Sequence, residues 1–187
     1  MRKAATLGWI LFVLLLGVAC NSAQEPEVKV EVKVTELSDE EYSGIGTHGL
    51  EDPVKDDFRK VKISLNVVQF DEISAREVQY PETEEWKKAI NSIDGNRYWV
   101  GNRYERNNEN ENTVDYTEEF IFYYKGLSED EVKQAFESLT FKISWVTKQG
   151  ALQSKEFEVS EIIESVSDLP DAQSGNDNNF QVVTIRR

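Results

Sequence analysis

Glu27-Val-Lys-Val-Glu-Val-Lys-Val34 alternates without a break, and that alternation sets the class of the fold. Its four valines fall on one side of an extended chain, its two glutamates and two lysines on the other. Successive side chains of a strand point to opposite faces, so a strict period of two on β-branched residues describes a half-buried strand. The pattern returns at Val61-Lys-Ile-Ser-Leu-Asn-Val67, which would bury Val61, Ile63, Leu65 and Val67. It returns from about Val114 to Tyr124, where Val114, Tyr116, Phe120, Phe122 and Tyr124 share a face that Glu118 interrupts. A hairpin follows. Leu139, Phe141, Ile143 and Trp145 alternate with Thr140, Lys142, Ser144 and Val146; Lys148-Gln-Gly150 turns the chain, and Leu152 to Val159 returns. Arg97-Tyr-Trp-Val100 and Phe180 to Ile185 read as further strands.

Two segments carry the helical period instead. Residues 82–93 set Trp86, Ala89, Ile90 and Ile93 on one stripe, closed by Asp94-Gly95. Ser128-Glu-Asp-Glu131 has the form of a capping box, with Leu127 and Val132 as its staple, and turns Val132, Ala135, Phe136 and Leu139 inward. Residues 38–58, rich in Asp, Glu and Gly, read as a long loop, and Asn107–Asn112 and Gln173–Asn179 as polar loops. Seven or so short strands with one or two short helices predict a mostly β domain, an antiparallel two-layer β-sandwich. The likeness to immunoglobulin domains is one of architecture alone, because their Cys…Trp…Cys pattern is absent. An α+β fold, with both helices on one antiparallel sheet, is the alternative.

Upstream of the first strand, Arg2 and Lys3 precede an apolar stretch from Leu7 to Val18, then small residues and the chain's one cysteine, Cys20. Twelve helical residues reach about 18 Å, short of the roughly 30 Å hydrocarbon core, so the segment fits a signal peptide better than a membrane span. The run Leu14-Leu-Leu-Gly-Val-Ala-Cys20 resembles the lipobox of bacterial lipoproteins, with Ala19 as the small residue before the cysteine. The resemblance covers residues 1–20. It implies a diacylglyceryl group on the Cys20 thiol and cleavage between Ala19 and Cys20, leaving the modified cysteine as the new N-terminus. The expected organisation is a signal peptide over 1–19, a lipidated tether over 20–26 and one β-rich extracytoplasmic domain over 27–187. An ordinary signal peptide cut nearby, leaving Cys20 free, is the alternative. Asn21 is not the Asp that marks inner-membrane retention in such proteins, and the choice between inner and outer membrane stays open.

Cleavage there removes two cations, Arg2 and Lys3, and no acid, taking the formal charge from −14 to −16. So acidic a surface is repelled by phosphate backbones and argues against nucleic acid as a partner. Cys20 has no second cysteine to form a disulfide with, and the single histidine, His48, lies in a glycine-flanked loop. A nucleophilic site needs a base beside its nucleophile, and no Gly-x-Ser-x-Gly or Ser-x-x-Lys pattern surrounds a serine. Zinc would need several His or Cys ligands. Calcium takes oxygen ligands, which abound at Asp39, Glu40, Glu41, Glu51, Asp52, Asp56, Asp57 and Asn176–Asn179, though without calcium-loop spacing. No cofactor is expected, with calcium the one metal left open. Gly44-x-Gly-x-x-Gly49 has dinucleotide spacing but neither follows a strand nor opens a helix.

Alternating aromatics first of all fill a sandwich core. Tyr98, Trp99, Tyr104 and Tyr123 are the candidate ligand surface, Tyr123 foremost because Phe122 and Tyr124 point to the opposite face. The sequence thus predicts a membrane-anchored envelope lipoprotein whose β domain binds a protein partner or cell-wall component without catalysis. A cell-envelope hydrolase using paired acids and an accessory subunit of a membrane complex are the alternatives.

Overall fold

The computed structural model describes residues 25–68, 73–108 and 112–164, and in it the alternating segments pair into two sheets. The larger holds β4 (Tyr98–Asn108), β5 (Thr113–Tyr123), β2 (Phe58–Val68), β1 (Glu27–Thr35) and β8 (Ile163–Glu164), in that spatial order. The smaller holds β3 (Ile73–Gln79), β6 (Thr140–Thr147) and β7 (Leu152–Glu158), also in order. Glu27 pairs with Val68, Val68 with Thr113 and Thr113 with Asn108, so the start of β1 and the end of β4 share one end of the sandwich.

The inner faces are those that the alternation names. Val32 and Val34, then Val61 to Val67 at every second residue, pack against Phe141, Ile143 and Trp145 of the small sheet. β5 contributes Val114, Tyr116, Phe120 and Phe122. Glu118 faces inward with them and is 1% exposed, so the interruption in the pattern is a buried carboxyl, not a change of face. Helix α2 (Thr83–Asn91) closes one side by inserting Trp86, Ala89 and Ile90. The Trp86 ring meets Phe136 edge-on at 5.5 Å and tilts against Phe120 and Phe141, the offset geometry that aromatic quadrupoles favour. Helix α3 (Glu129–Ala135) begins at Ser128, whose hydroxyl accepts from the Glu131 amide at 3.3 Å while Glu131 reaches back to the Ser128 amide at 2.8 Å. Val132 belongs to the core cluster and the half-buried Leu127 packs against it, as the staple requires.

Several expectations are corrected. β3 carries no period that marks a strand in the sequence, because Arg76 and a register shift separate the inward Ile73 and Val78. The loop read over 38–58 holds helix α1 (Asp39–Gly44), capped by Ser38, and a 3₁₀ turn over Lys55–Asp57. Asn107 and Asn108 extend β4 and do not belong to the following turn. After β7 the chain forms helix α4 (Val159–Ile162) and crosses to the large sheet, where β8 joins β1. That pairing is parallel, the one exception to the antiparallel pattern among the described strands, because the chain crosses between sheets instead of doubling back through a hairpin. The strand expected over Phe180 to Ile185 lies outside the described residues.

Candidate functional site along β4

The four aromatics singled out in the sequence meet at β4 and β5, but on two faces. Tyr98 opposes Phe122 and Val100 opposes Ile121, so Trp99 is the extra residue of a β-bulge. The bulge separates neighbours that strict alternation would set differently. Tyr98 turns inward and stacks on Phe120 at 5.3 Å, passing over Gly101. A side chain at Gly101 would lie 2.7 Å from Phe120 Cβ and 2.9 Å from the Glu119 carbonyl, so glycine is needed there for the ring to fit. Burial, above all, raises the Tyr98 hydroxyl above the ordinary tyrosine range.

Trp99 and Tyr123 come together on the outer face, both edge-on to Phe58 at 5.8 and 5.4 Å. Phe58 is fully buried although it sits on the outside of the sheet, because Tyr42 and the segment after α1 cover it. Two hydrogen bonds strap that segment down: the Trp99 indole N–H donates to the Gly46 carbonyl at 2.7 Å, and the Tyr42 hydroxyl donates to the Pro53 carbonyl at 2.6 Å. Tyr104 lies on the outer face away from that cluster, opposite Thr117, and is 60% exposed. Val100, on the same strand and face, is 47% exposed.

The inner face of β4 carries a polar network that no motif announced. Arg103 lies directly across from Glu118 and Glu105 across from Tyr116. The Arg103 guanidinium donates to Glu82 and to Glu105 and lies 5.2 and 5.3 Å from the ring centres of Tyr80 and Tyr116. Those two rings stack at 4.4 Å, and the Tyr80 hydroxyl donates to Glu105. Burial, reinforced by Glu105, pushes the Tyr80 hydroxyl up to about 12. Deeper in, the Trp86 indole N–H donates to the Tyr116 hydroxyl at 3.3 Å. That hydroxyl has one proton facing two acceptors, Glu118 Oε2 and, at 3.2 Å, the Pro81 carbonyl. Burial first, then the contact with Glu118, raises Tyr116 well above the ordinary range. Glu118 Oε1 has no hydrogen-bond partner among the described residues. The signal available in the sequence was Glu118 itself, an acid set in an aromatic stripe.

Of the acidic residues considered for calcium among residues 39–57 of the cap, three are engaged with lysines. Asp39 pairs with Lys55 at 2.6 Å, Glu41 with Lys60, and Asp57 with Lys125 at 3.2 Å. Asp57 Oδ2 also accepts from the Val54 amide, and that bond, with Lys125, holds its carboxyl below the usual range. Among the described residues no group of three or more His, Cys, Asp or Glu is placed to hold a metal ion. His48 is exposed. Cys20, Ala19 and Asn176–Asn179 lie outside the described residues. No helix among the described residues is long and apolar enough to cross a membrane.

The chain matches no family model, no curated protein and no solved structure.

Proposed function

We propose that this protein is an extracytoplasmic lipoprotein, held at a bacterial membrane through Cys20, whose sandwich binds a protein partner without catalysis. The observation that carries the reading is how little chain separates Cys20 from the folded domain. Glu25 is ion-paired with Lys155 at 2.5 Å and Pro26 is buried, so four residues lie between the cysteine and the first docked side chain. Five peptide steps span about 17 Å at full extension. A lipid on Cys20 therefore holds the β1 end of the sandwich near the bilayer, and tethering raises the effective concentration of any partner in the same membrane. Two acyl chains, at about 0.8 kcal/mol per buried methylene, give stable anchoring where one does not. The exposed Tyr104 and Val100, ringed by charged neighbours, supply a binding strip of the kind that anchors interfaces.

Metabolic labelling with a fatty-acid analogue tests the anchor: wild type should be labelled and Cys20→Ala should not, and label on both variants contradicts it. Crosslinking in intact cells tests the binding role. Wild type should capture a discrete protein that Tyr104→Ala captures much less, and equal capture by the two removes Tyr104 from the binding surface.

A further inference from the structure

We propose that β4 is a self-association edge, at which two copies of this chain pair their β4 strands antiparallel about Tyr104 and join two large sheets into one. β4 ends its sheet, so one row of its backbone N–H and C=O groups faces no strand among the described residues. Proteins commonly guard such an edge with brevity, charged side chains (inward-pointing ones included), proline, a bulge or a covering segment. The other terminal strands are shorter: β8 has two residues, and β3 and β7 have seven each. β4 has 11 residues with neither lysine nor proline; its bulge lies at one extremity, and its charges are Arg103 and Glu105 on the inner face and Arg106 on the outer. Two of the four exposed large apolar side chains among the described residues, Val100 and Tyr104, stand on it.

The sequence of the strand selects a second copy as the occupant. Past the bulge, the regular stretch runs from 100 to 108, and Tyr104 is its middle residue. A two-fold axis at that point sets Tyr104 against Tyr104, Arg103 against Glu105 of the second copy, and Asn102 against Arg106. Directly opposed residues share a face, so the Arg103–Glu105 pairing forms twice, once on each side of the axis. Moving the axis to Arg103 or to Glu105 opposes like charges at the centre, which destabilises a strand pair. Of the axes through residues 102 to 106, only the one at Tyr104 sets unlike charges against each other; an axis at Asn102 opposes Tyr104 with Val100 and pairs no charges. Because β1 starts at the Asn108 end, the two N-termini leave opposite ends of the joined sheet, and an anchored pair lies along the membrane. The inference rests on the partner-binding reading of this strand and is independent of the lipid.

The test uses the full chain carrying Cys20→Ser, in mild detergent, with single cysteines placed in turn at 102 to 106 and oxidised. Only a residue that meets itself across the axis brings two identical Cβ atoms within disulfide reach. Tyr104→Cys should therefore form covalent dimer about tenfold ahead of Asn102→Cys and Arg106→Cys. Ser154→Cys, on β7, sets the background. By sedimentation the chain without added cysteines should show a concentration-dependent dimer, and Tyr104→Lys should be monomeric with unchanged unfolding. A crosslinking maximum elsewhere, no crosslink above background, or a chain still monomeric at about 100 µM overturns the proposal. Fatty-acid labelling is unaffected by either outcome, so failure of the dimer and failure of the anchor are read separately.

Discussion

Two aromatic clusters flank β5, one on each face, and they are built in opposite ways. The inner cluster of Trp86, Phe120, Phe136 and Phe141 is sealed between the sheets. The outer one gathers Tyr42, Trp99 and Tyr123 around Phe58 on what would otherwise be solvent-facing sheet. The first comes from strand and helix periodicity, and the second from a returning segment strapped by two hydrogen bonds. Burial is therefore a property of what covers a position, not only of the face it occupies.

The largest effect should come from emptying the inner cluster. Trp86→Ala removes a fully buried ring and its bond to Tyr116, and should cost about 3–5 kcal/mol in urea unfolding. A loss under about 1 kcal/mol would show that the inner cluster is no tighter than the outer. Trp99→Phe is the matching change outside. It keeps an aromatic ring and removes the bond to Gly46, so a global cost of about 1 kcal/mol is expected, with faster hydrogen exchange confined to residues 42–53. If Trp99→Phe matches Trp86→Ala, the cap is part of the core and the contrast disappears.

The smallest effect, and the most selective, is that of pH. Around the cap, Glu41 is depressed by its bond to Lys60 and Asp57 by the Val54 amide; after α2, Asp94 is depressed by Arg97. A carboxyl whose folded value lies below its unfolded value, near 4, stabilises above that pH. The stability is lost as pH falls through the depressed value. On the inner side Tyr80 and Tyr116 are raised. Their contribution is complete below the unfolded value near 10 and is lost as pH rises through the folded values, about 12 for Tyr80. The protection of the cap amides, relative to their intrinsic exchange, should fall first on acidification below pH 4. Tyrosine absorbance should show a component that ionises well above pH 10 and is lost in Tyr80→Phe and Tyr116→Phe. Its absence from wild type would contradict the buried network.

Much of the architecture was legible because it follows from local periods. The valines of β1, the odd residues of β2 and the stripe of α2 each announce a buried face within about ten residues. The capping box at Ser128 was legible for the same reason, since all its partners lie within four residues. The candidate site was legible only in part. Tyr98, Trp99, Tyr104 and Tyr123 were named, but a single extra residue at the bulge divides them between faces, and no propensity marks which residue bulges. The Arg103, Glu105, Tyr80 and Glu82 network joins residues more than twenty apart, with no spacing to announce it.

Residue order determined that this chain makes a mostly β domain, which sides of its main strands turn inward, and the lipobox-like run at Cys20. Those are local properties, written in side-chain period and in twenty consecutive residues. Tertiary pairing decided that Glu118 lies in the core, that Tyr42 of α1 comes over Phe58 on the outer face, and that β4 ends its sheet among the described residues with Tyr104 exposed. Backbone hydrogen-bonding groups are the same at every residue, so which strand is left without a neighbour depends on where all the others have paired.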